Sequence, residues 1–191
     1  MIFGLPLVLA QAVATPAKEH AAWAPVVLHA TALFWVQRKT EAMLYPNPFA
    51  STDLTFIGAR YKEAFTKPPL FDAHARAFEW DHDRWPINVI GHGLMGSELY
   101  MRARTCAFGW GGALAFTAGA SVVWEYVFEG NGVRPSAQDL VYTPLAGLVL
   151  GEGRYQAWRA AGSFTNPTTR AVVRTLIDPF GQLERRFGSP C

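Results

Sequence analysis

The chain is poor in charged residues. Only 17% of its 191 residues are Asp, Glu, Lys or Arg, against about 25% in typical soluble domains. Because half of the residues are hydrophobic, the composition excludes an intrinsically disordered chain. The 17 basic and 15 acidic residues nearly cancel, and they form no basic stripe of the kind that nucleic-acid-binding proteins carry. We therefore predict one globular domain and no nucleic-acid partner.

Cysteine is also scarce. The only two cysteines are Cys106 and Cys191, and they lack the C-x-x-C spacing of zinc or thioredoxin-like sites. A disulfide between them would require the last residue of the chain to fold back onto the start of the uncharged segment 105–124. The sequence gives no sign of such a return, and we predict no disulfide.

Several well-known catalytic and nucleotide-binding motifs are missing. The chain has no H-E-x-x-H, G-x-S-x-G or P-loop sequence, which weakens the case for the common hydrolase and nucleotidase classes. Residues 91–96 do read G-x-G-x-x-G, but a dinucleotide site also needs an acidic residue about 20 positions later. After Glu98 the next acidic residue is Glu125, so we predict no nucleotide ligand.

Apolar segments dominate what is present. Residues 1–17 carry no charged side chain and contain Ala12-Val13-Ala14, which is typical of a signal or anchor segment. Residues 105–124 are uncharged, and a helix of this length can cross a bilayer. They are rich in Gly and Ala, which equally suits close packing between helices. Residues 156–191 are more polar and contain Asn-Pro and Asp-Pro steps, which favours a weakly ordered tail.

Helical patterns fill the remainder, residues 18–155. Ser51 is a candidate N-cap for a helix over residues 53–65, and Ser136, with Asp139 three residues later, for one that continues to about Leu150. Residues 87–104 also have a helical pattern, in which Glu98 and Arg102 can pair. The predicted fold is mainly α: a compact bundle of about four or five helices, membrane-associated or exported.

A polar seam runs through these apolar helices. Its members recur at steps of four, which places them along one slowly turning stripe of each helix. They are Thr117, Ser121, Glu125 and Glu129 on one helix, and Asp139, Thr143, Gly147 and Gly151 on the next. Because an isolated buried carboxylate is costly, we expect Glu125 or Glu129 to lie near Asp139, Arg102 or Arg104. We also expect Glu125→Gln to destabilise the protein more than Glu79→Gln does.

His92 lies between two glycines on the helical side that also carries Asn88. Two interpretations are open: a core histidine bonded to a glutamate, or a general base or metal ligand if His92 and Glu125 converge. The loop residues Asp72, His74 and Asp81 to Asp83 are ligand types without a recognised metal-binding spacing. We interpret them as a solvated acidic loop.

The order of motifs resembles that of an uncharacterised bacterial cell-envelope family in the domain-of-unknown-function series. The motifs are Asn88-x-x-x-His92, Trp124-Glu125-Tyr126-x-x-Glu129 and Pro135-Ser136-x-x-Asp139-Leu140, within residues 70–155. Members are expected to read His-Pro where this chain has His92-Gly93. The resemblance implies an exported, mostly helical envelope domain and no particular activity.

Two functions are therefore compatible with the sequence. In the first, an envelope or membrane-associated protein of unknown activity uses the polar seam to organise helix packing or a partner interface. In the second, a small metal-dependent or general-base hydrolase or lipid-processing enzyme uses His92, Glu125, Glu129 and Asp139. The expected location is the bacterial cell envelope, and the expected partner is membrane lipid or another envelope protein. The sequence identifies no cofactor and does not fix the oligomeric state.

Overall fold

Helices make up most of the chain that this computed structural model describes, residues 20–189 and 191. They are α1 Trp23–Leu44, α2 Pro46–Phe49, α3 Leu54–Thr66, α4 His92–Thr105, α5 Trp110–Val123, α6 Ala137–Ala146, α7 Glu152–Ala161, α8 Pro167–Ile177 and α9 Pro179–Arg186. The described residues contain no strand beyond a single bridge between Leu70 and Ser136. The predicted mainly α class is confirmed. The signal or anchor predicted for residues 1–17 lies outside the described residues.

Helix α4 is the centre of the bundle. It packs against α1, α5, α6 and α7, and most of its residues are buried. Leu99 and Tyr100 are fully buried. Phe34 of α1 lies against Trp124 with ring centroids 5.4 Å apart, and both belong to one cluster of buried apolar residues. This five-helix core agrees with the predicted size of the bundle.

Glycines allow α4 and the end of α6 to approach backbone to backbone. A Cβ atom on Gly96 would lie 2.0 Å from the carbonyl oxygen of Thr143, and one on Gly147 would lie 2.7 Å from the carbonyl oxygen of Gly96. Both distances are far below van der Waals contact, so no larger side chain fits at either position. The contact fixes the register in which α4 faces α6.

In residues 20–189, three π-helical turns interrupt the α-helical pattern. They cover Pro86–Gly91 before α4, Trp124–Phe128 after α5, and Gly147–Gly151 between α6 and α7. Each π turn accommodates an extra residue, and such turns often occur at functional sites. His92 directly follows the first turn, and Glu125 lies within the second.

The uncharged run 105–124 does not form one helix. Ala107 has a positive φ of 68°, and the chain turns before α5 begins at Trp110. Among the described residues, no helix combines the length and apolar character that crossing a membrane requires. The buried residues Ala113, Thr117, Ala120 and Ser121 show that one face of α5 packs on protein, as expected from its small residues.

The prediction for the C-terminal segment differs from the structure in two respects. Residues that were expected to form a weakly ordered tail form the end of α7 together with α8 and α9. The prediction of no disulfide was also wrong, because Cys106 and Cys191 are bonded. Helix α9 packs against the bundle and returns the last residue to the end of α4, a path that local sequence patterns do not encode.

The two predicted helix caps had different outcomes. Ser136 caps α6 as predicted, since its hydroxyl accepts a hydrogen bond of 3.1 Å from the Asp139 backbone N–H. The Ser51 prediction was wrong: Asp53 caps α3 by accepting hydrogen bonds from the backbone N–H groups of Thr55 and Phe56. Ser51 instead accepts from the Asp53 backbone N–H.

Candidate metal centre

His92, Glu125 and Asp139 converge at the junction of α4, α5 and α6. One potential ligand atom from each side chain lies within 4.8 Å of the other two. His92 Nε2 is 3.6 Å from Asp139 Oδ2, and His92 Nδ1 is 4.0 Å from Glu125 Oε1. All three residues are buried, with exposed fractions of 6%, 1% and 2%. A histidine and two carboxylates 33 to 47 positions away in sequence therefore share one enclosed site.

Hydrogen bonds orient these three side chains but leave ligand atoms available. His92 Nδ1 lies 3.0 Å from the Thr143 hydroxyl, so Nε2 faces Asp139. Glu125 Oε2 accepts a hydrogen bond of 2.8 Å from the Ser136 backbone N–H. Among the described residues, the buried Glu125 Oε1 has no hydrogen-bond partner. Buried polar atoms normally have a partner, so this oxygen calls for an explanation.

The seam links neighbouring helices, as the stepwise spacing predicted. The Ser121 hydroxyl on α5 donates a hydrogen bond of 3.2 Å to the Asp139 carbonyl oxygen on α6. Thr117 and Thr143, also members of the seam, are fully buried. The polar groups on α5 and α6 therefore face each other across the packed interface.

Burial shifts the protonation equilibria of all three residues toward the neutral forms. Desolvation lowers the pKa of His92 to about 4, against the opposing attraction of Asp81. It raises the pKa of Glu125 to about 8. Burial, the charge of Glu125 and a hydrogen bond with Asp81 raise the pKa of Asp139 to about 9. Near neutral pH His92 is therefore neutral, and the carboxyls hold protons that a cation would displace.

Asp81 belongs to this site, although the sequence interpretation placed it in a solvated loop. It is 9% exposed, and its Oδ1 accepts a hydrogen bond of 2.7 Å from the Asn88 side chain. Burial opposes ionisation of Asp81, but hydrogen bonds with Ser136, Asp139 and Asn88 outweigh it and lower its pKa. The loop reaches the site because the Leu70–Ser136 bridge holds it against the start of α6. No local spacing signals this contact.

Three other members of that acidic loop behave as predicted. Asp72 and His82 form a largely exposed pair with a separation of 3.6 Å between His82 Nε2 and Asp72 Oδ2. His74 is exposed as well. Asp83 departs from the prediction of a solvated loop, because burial and the charge of Asp81 raise its pKa to about 6.

Glu129 is buried but belongs to a neighbouring acidic pair. Burial and the charge of Glu125 raise its pKa well above the usual value, and its side chain is hydrogen-bonded with Glu41. Burial likewise raises the pKa of Glu41 to about 7. Glu129 directly follows the π turn at Trp124–Phe128, where the chain departs from the α-helical period assumed for the stripe. Glu41, on α1, was not identified from the sequence.

The arginines expected beside the acidic residues of the seam lie elsewhere. Arg104 forms a two-point ion pair with Glu152, at 2.8 and 3.3 Å. Arg102 lies 3.8 Å from Glu98, which confirms the predicted pairing within α4, and 3.3 Å from Asp178. Among the described residues, Arg102 and Arg104 therefore pair with Glu98, Asp178 and Glu152 and not with Glu125 or Asp139.

A cleft of about 440 Å³ adjoins the site on the side of the acidic loop. Asp81 and Asp83 form part of its wall, with Arg60 and Arg134 among the other lining residues. Asp81 faces this cleft and also hydrogen-bonds with Asp139. It therefore connects the buried site to a space that a small molecule can enter.

A second buried polar network joins α9 to the bundle. Asp178, 1% exposed, lies 2.8 Å from Arg185 as well as 3.3 Å from Arg102. Glu98 lies 2.8 Å from Arg154 and 3.4 Å from His29. Sequence patterns do not identify His29 or Asp178 as buried ionisable residues. Each carboxylate of this network has a cationic partner.

Comparison with known proteins adds a family and no activity. No curated protein and no solved structure matches the chain. The model of the family described as "Domain of unknown function (DUF3943)" matches residues 77–180, just over half of the chain, including His92, Glu125 and Asp139. The resemblance to an uncharacterised family is thereby confirmed. The chain belongs to the DUF3943 family.

Proposed function

We propose that the protein binds a divalent transition-metal cation at His92, Glu125 and Asp139. The observation that carries the proposal is the unpartnered Oε1 of Glu125, in a side chain 1% exposed and aimed into a cluster that contains a histidine and a second carboxylate. A cation satisfies that oxygen and removes the repulsion between the two carboxylates. Bound to a cation, the polar seam joins α4, α5 and α6 through one ion.

The donor set favours zinc or manganese. Imidazole nitrogen and carboxylate oxygen are ligands that both metals accept. In metal-bound histidines, the ring nitrogen that does not bind the metal usually hydrogen-bonds to a neighbour that fixes the ring. Thr143 supplies that bond at His92 Nδ1, which leaves Nε2 free to bind. Donor atoms around a tetrahedral zinc lie about 3.3 Å apart, so loading draws the carboxylates inward from their present spacing.

Metal analysis tests the proposal directly. The full chain, purified without chelator, is expected to carry close to one equivalent of zinc or manganese, or to take it up during calorimetric titration with the metal salt. His92→Ala removes a ligand and should abolish uptake, whereas His82→Ala alters an exposed histidine and should leave it unchanged. Absence of uptake for both metals, or equal uptake by His92→Ala, contradicts the proposal.

A second candidate function is metal-dependent hydrolysis. The observation that favours it is the cleft beside Asp81, because three protein ligands leave a coordination position for water, and Asp81 both lines the cleft and contacts Asp139. A bound metal lowers the pKa of its water to about 7 and so generates a nucleophile. General-base catalysis by His92 alone is less favoured, because burial lowers the pKa of His92 to about 4 and an efficient base has a pKa near the working pH.

Ester and phosphate hydrolysis by the metal-loaded protein distinguishes the two roles. We would assay p-nitrophenyl acetate and p-nitrophenyl phosphate with the wild-type protein and Asp81→Asn. Turnover that requires the metal and falls in Asp81→Asn supports the hydrolase. Full metal occupancy without turnover of either compound instead supports a cation that organises helix packing.

We further propose the bacterial cell envelope as the location. The supporting observation is the disulfide between Cys106 and Cys191, because disulfides persist in oxidising compartments and are rare in the cytosol. Alkylation of intact cells, followed by reduction and a second alkylation, measures the oxidation state of the pair. Protection of both cysteines in the envelope fraction is expected, and two free thiols in that fraction contradict the proposal.

A further inference from the structure

The surface formed by α8 and α9 carries an unusual combination of exposed apolar side chains and arginines. Val172 and Leu176 on α8 are 52% and 78% exposed. Phe180 and Leu183 on α9 are 50% and 54% exposed, and Phe187, just after α9, is 84% exposed. Val172 and Leu176 are four residues apart on α8, and Phe180 and Leu183 are three apart on α9, spacings that place each pair on one face of its own helix. We call these five residues the α8–α9 apolar face.

The apolar face continues onto the neighbouring part of the bundle. Leu183 and Phe187 line a groove together with Leu28 of α1, which is itself 70% exposed. Leu176 and Phe180 line a second groove that also includes Leu94. Four of the five exposed side chains of the face therefore line grooves that they share with residues of other helices. Isolated exposed apolar residues need no explanation, but an extended patch usually marks an interaction site.

Positive charge is concentrated in the same segment. Residues 156–191 contain five arginines and two acidic residues, a net charge of +3, whereas residues 1–155 have a net charge of −1. Asp178 pairs with Arg102 and Arg185, and Glu184 pairs with Arg102, so Asp178, Glu184 and Arg185 all contribute little charge at the surface. Arg170 and Arg174 lie about 160 to 200° around α8 from Val172, on the side opposite the apolar face, and Arg174 packs over the Trp158 ring of α7 at 4.2 Å.

We propose that the α8–α9 apolar face binds the surface of an anionic lipid bilayer. Short helices with Phe and Leu on one face and arginines on the other lie in the interface of a membrane, with the apolar face buried at the boundary of the acyl chains. The net positive charge complements anionic headgroups, and each nearby basic residue strengthens the attraction. This inference is independent of metal binding, since none of the proposed metal ligands lies on α8 or α9.

Vesicle flotation of the full chain tests the surface. We would compare vesicles of phosphatidylcholine alone with vesicles that also contain phosphatidylglycerol. The double variant Leu176→Ser/Phe187→Ser removes the two most exposed apolar side chains of the face. The control variant Met43→Ser/Leu54→Ser replaces two residues that are each 81% exposed on α1 and α3. All forms retain residues 1–17, so any contribution of that segment is common to them.

The wild-type protein and the control are expected to bind the anionic vesicles, with weaker binding at high salt. Binding by Leu176→Ser/Phe187→Ser should be at least about tenfold weaker, because two apolar side chains no longer enter the bilayer. Equal binding by this variant and the control overturns the proposal, as does the absence of binding to either type of vesicle. A dimer in solution that only Leu176→Ser/Phe187→Ser dissociates, without vesicle binding, identifies a second copy of the chain as the occupant and also overturns it.

Discussion

Replacing Glu125 with glutamine should make the metal-free protein more stable at alkaline pH. Glutamine has the shape of the protonated carboxyl that burial favours at this position. Its carbonyl oxygen can still accept the hydrogen bond from the Ser136 backbone N–H. The structure thus reverses the expectation from the sequence, in which Glu125→Gln destabilised the protein more than Glu79→Gln.

The magnitude follows from proton linkage. The pKa of Glu125 is about 8 in the native state against 4.5 in the unfolded chain, so between these pH values the native state holds more protons. The stabilisation that the protonated Glu125 carboxyl provides is then fully present below pH 4.5 and is lost as the pH rises toward 8. Each pH unit in this window costs about 1.4 kcal/mol. Between pH 6 and pH 9 the Glu125 carboxyl alone should contribute a loss of about 3 kcal/mol, or about 6–12 °C in melting temperature for a chain of this size.

Thermal denaturation in chelator at pH 6 and pH 9, followed by circular dichroism, measures this loss. Glu125→Gln should lose about 3 kcal/mol less than the wild type across the range, whereas the control Glu79→Gln should behave as the wild type. A metal concentration about 100 times the Kd should raise wild-type stability by about 2.7 kcal/mol and leave Glu125→Gln unchanged. Equal pH dependence of the wild type and Glu125→Gln would refute the argument from burial.

Two further substitutions test the packing around the site and the docking of α9. Gly96→Ala places a Cβ atom 2.0 Å from the Thr143 carbonyl oxygen and should lower the free energy of unfolding by about 1–3 kcal/mol. The control Gly119→Ala places a Cβ atom where no described atom lies within 4 Å, and it should raise the free energy of unfolding by up to about 1 kcal/mol. Urea denaturation measures both, and equal midpoints would contradict the close approach of α4 and α6. Asp178→Ala removes one of the three carboxylates that pair with the buried Arg102 and should cost about 1.5–3 kcal/mol, whereas Asp72→Ala, at a largely exposed pair, should cost less than about 1 kcal/mol.

What could be predicted from the sequence depended on interactions close along the chain. The Ser136 cap and the pair of Glu98 with Arg102 involve residues three and four apart, and both are present. The stripe of Thr117, Ser121 and Glu125 also follows from one helical period, since all three are buried on α5 and the turn that follows it. Local spacing is sufficient wherever a single helix determines both positions.

Contacts that depend on the path of the chain were missed. Asp81 reaches the site through the Leu70–Ser136 bridge, which joins segments 66 residues apart. The disulfide depends on α9 returning Cys191 to the end of α4. Glu129 was assigned to the site because an α-helical period was assumed through residues 124–128, where the chain forms a π turn. The first two contacts are set by tertiary structure, which local sequence patterns do not encode. The third depends on a turn that departs from the α-helical period.

The two buried polar clusters of this chain show why one indicates a ligand and the other does not. In the cluster around Asp178, the three carboxylates of Glu98, Asp178 and Glu184 face the three guanidinium groups of Arg102, Arg154 and Arg185. The desolvation cost of each charge is offset there by a partner of opposite sign. The residues of both clusters can be read from the sequence, but which acidic residue pairs with which basic residue is known only from the structure.

Around Glu125 the balance is absent. Six acidic residues influence one another's ionisation, namely Glu41, Asp81, Asp83, Glu125, Glu129 and Asp139. His92 is held neutral by burial, and Arg38 lies 3.7 Å from Glu41. Raised pKa values keep part of this charge neutral by protonation, and a divalent cation is the other means of neutralising it. The competition between protons and a cation for the same oxygens makes metal uptake by this site dependent on pH, with stronger binding as the pH rises.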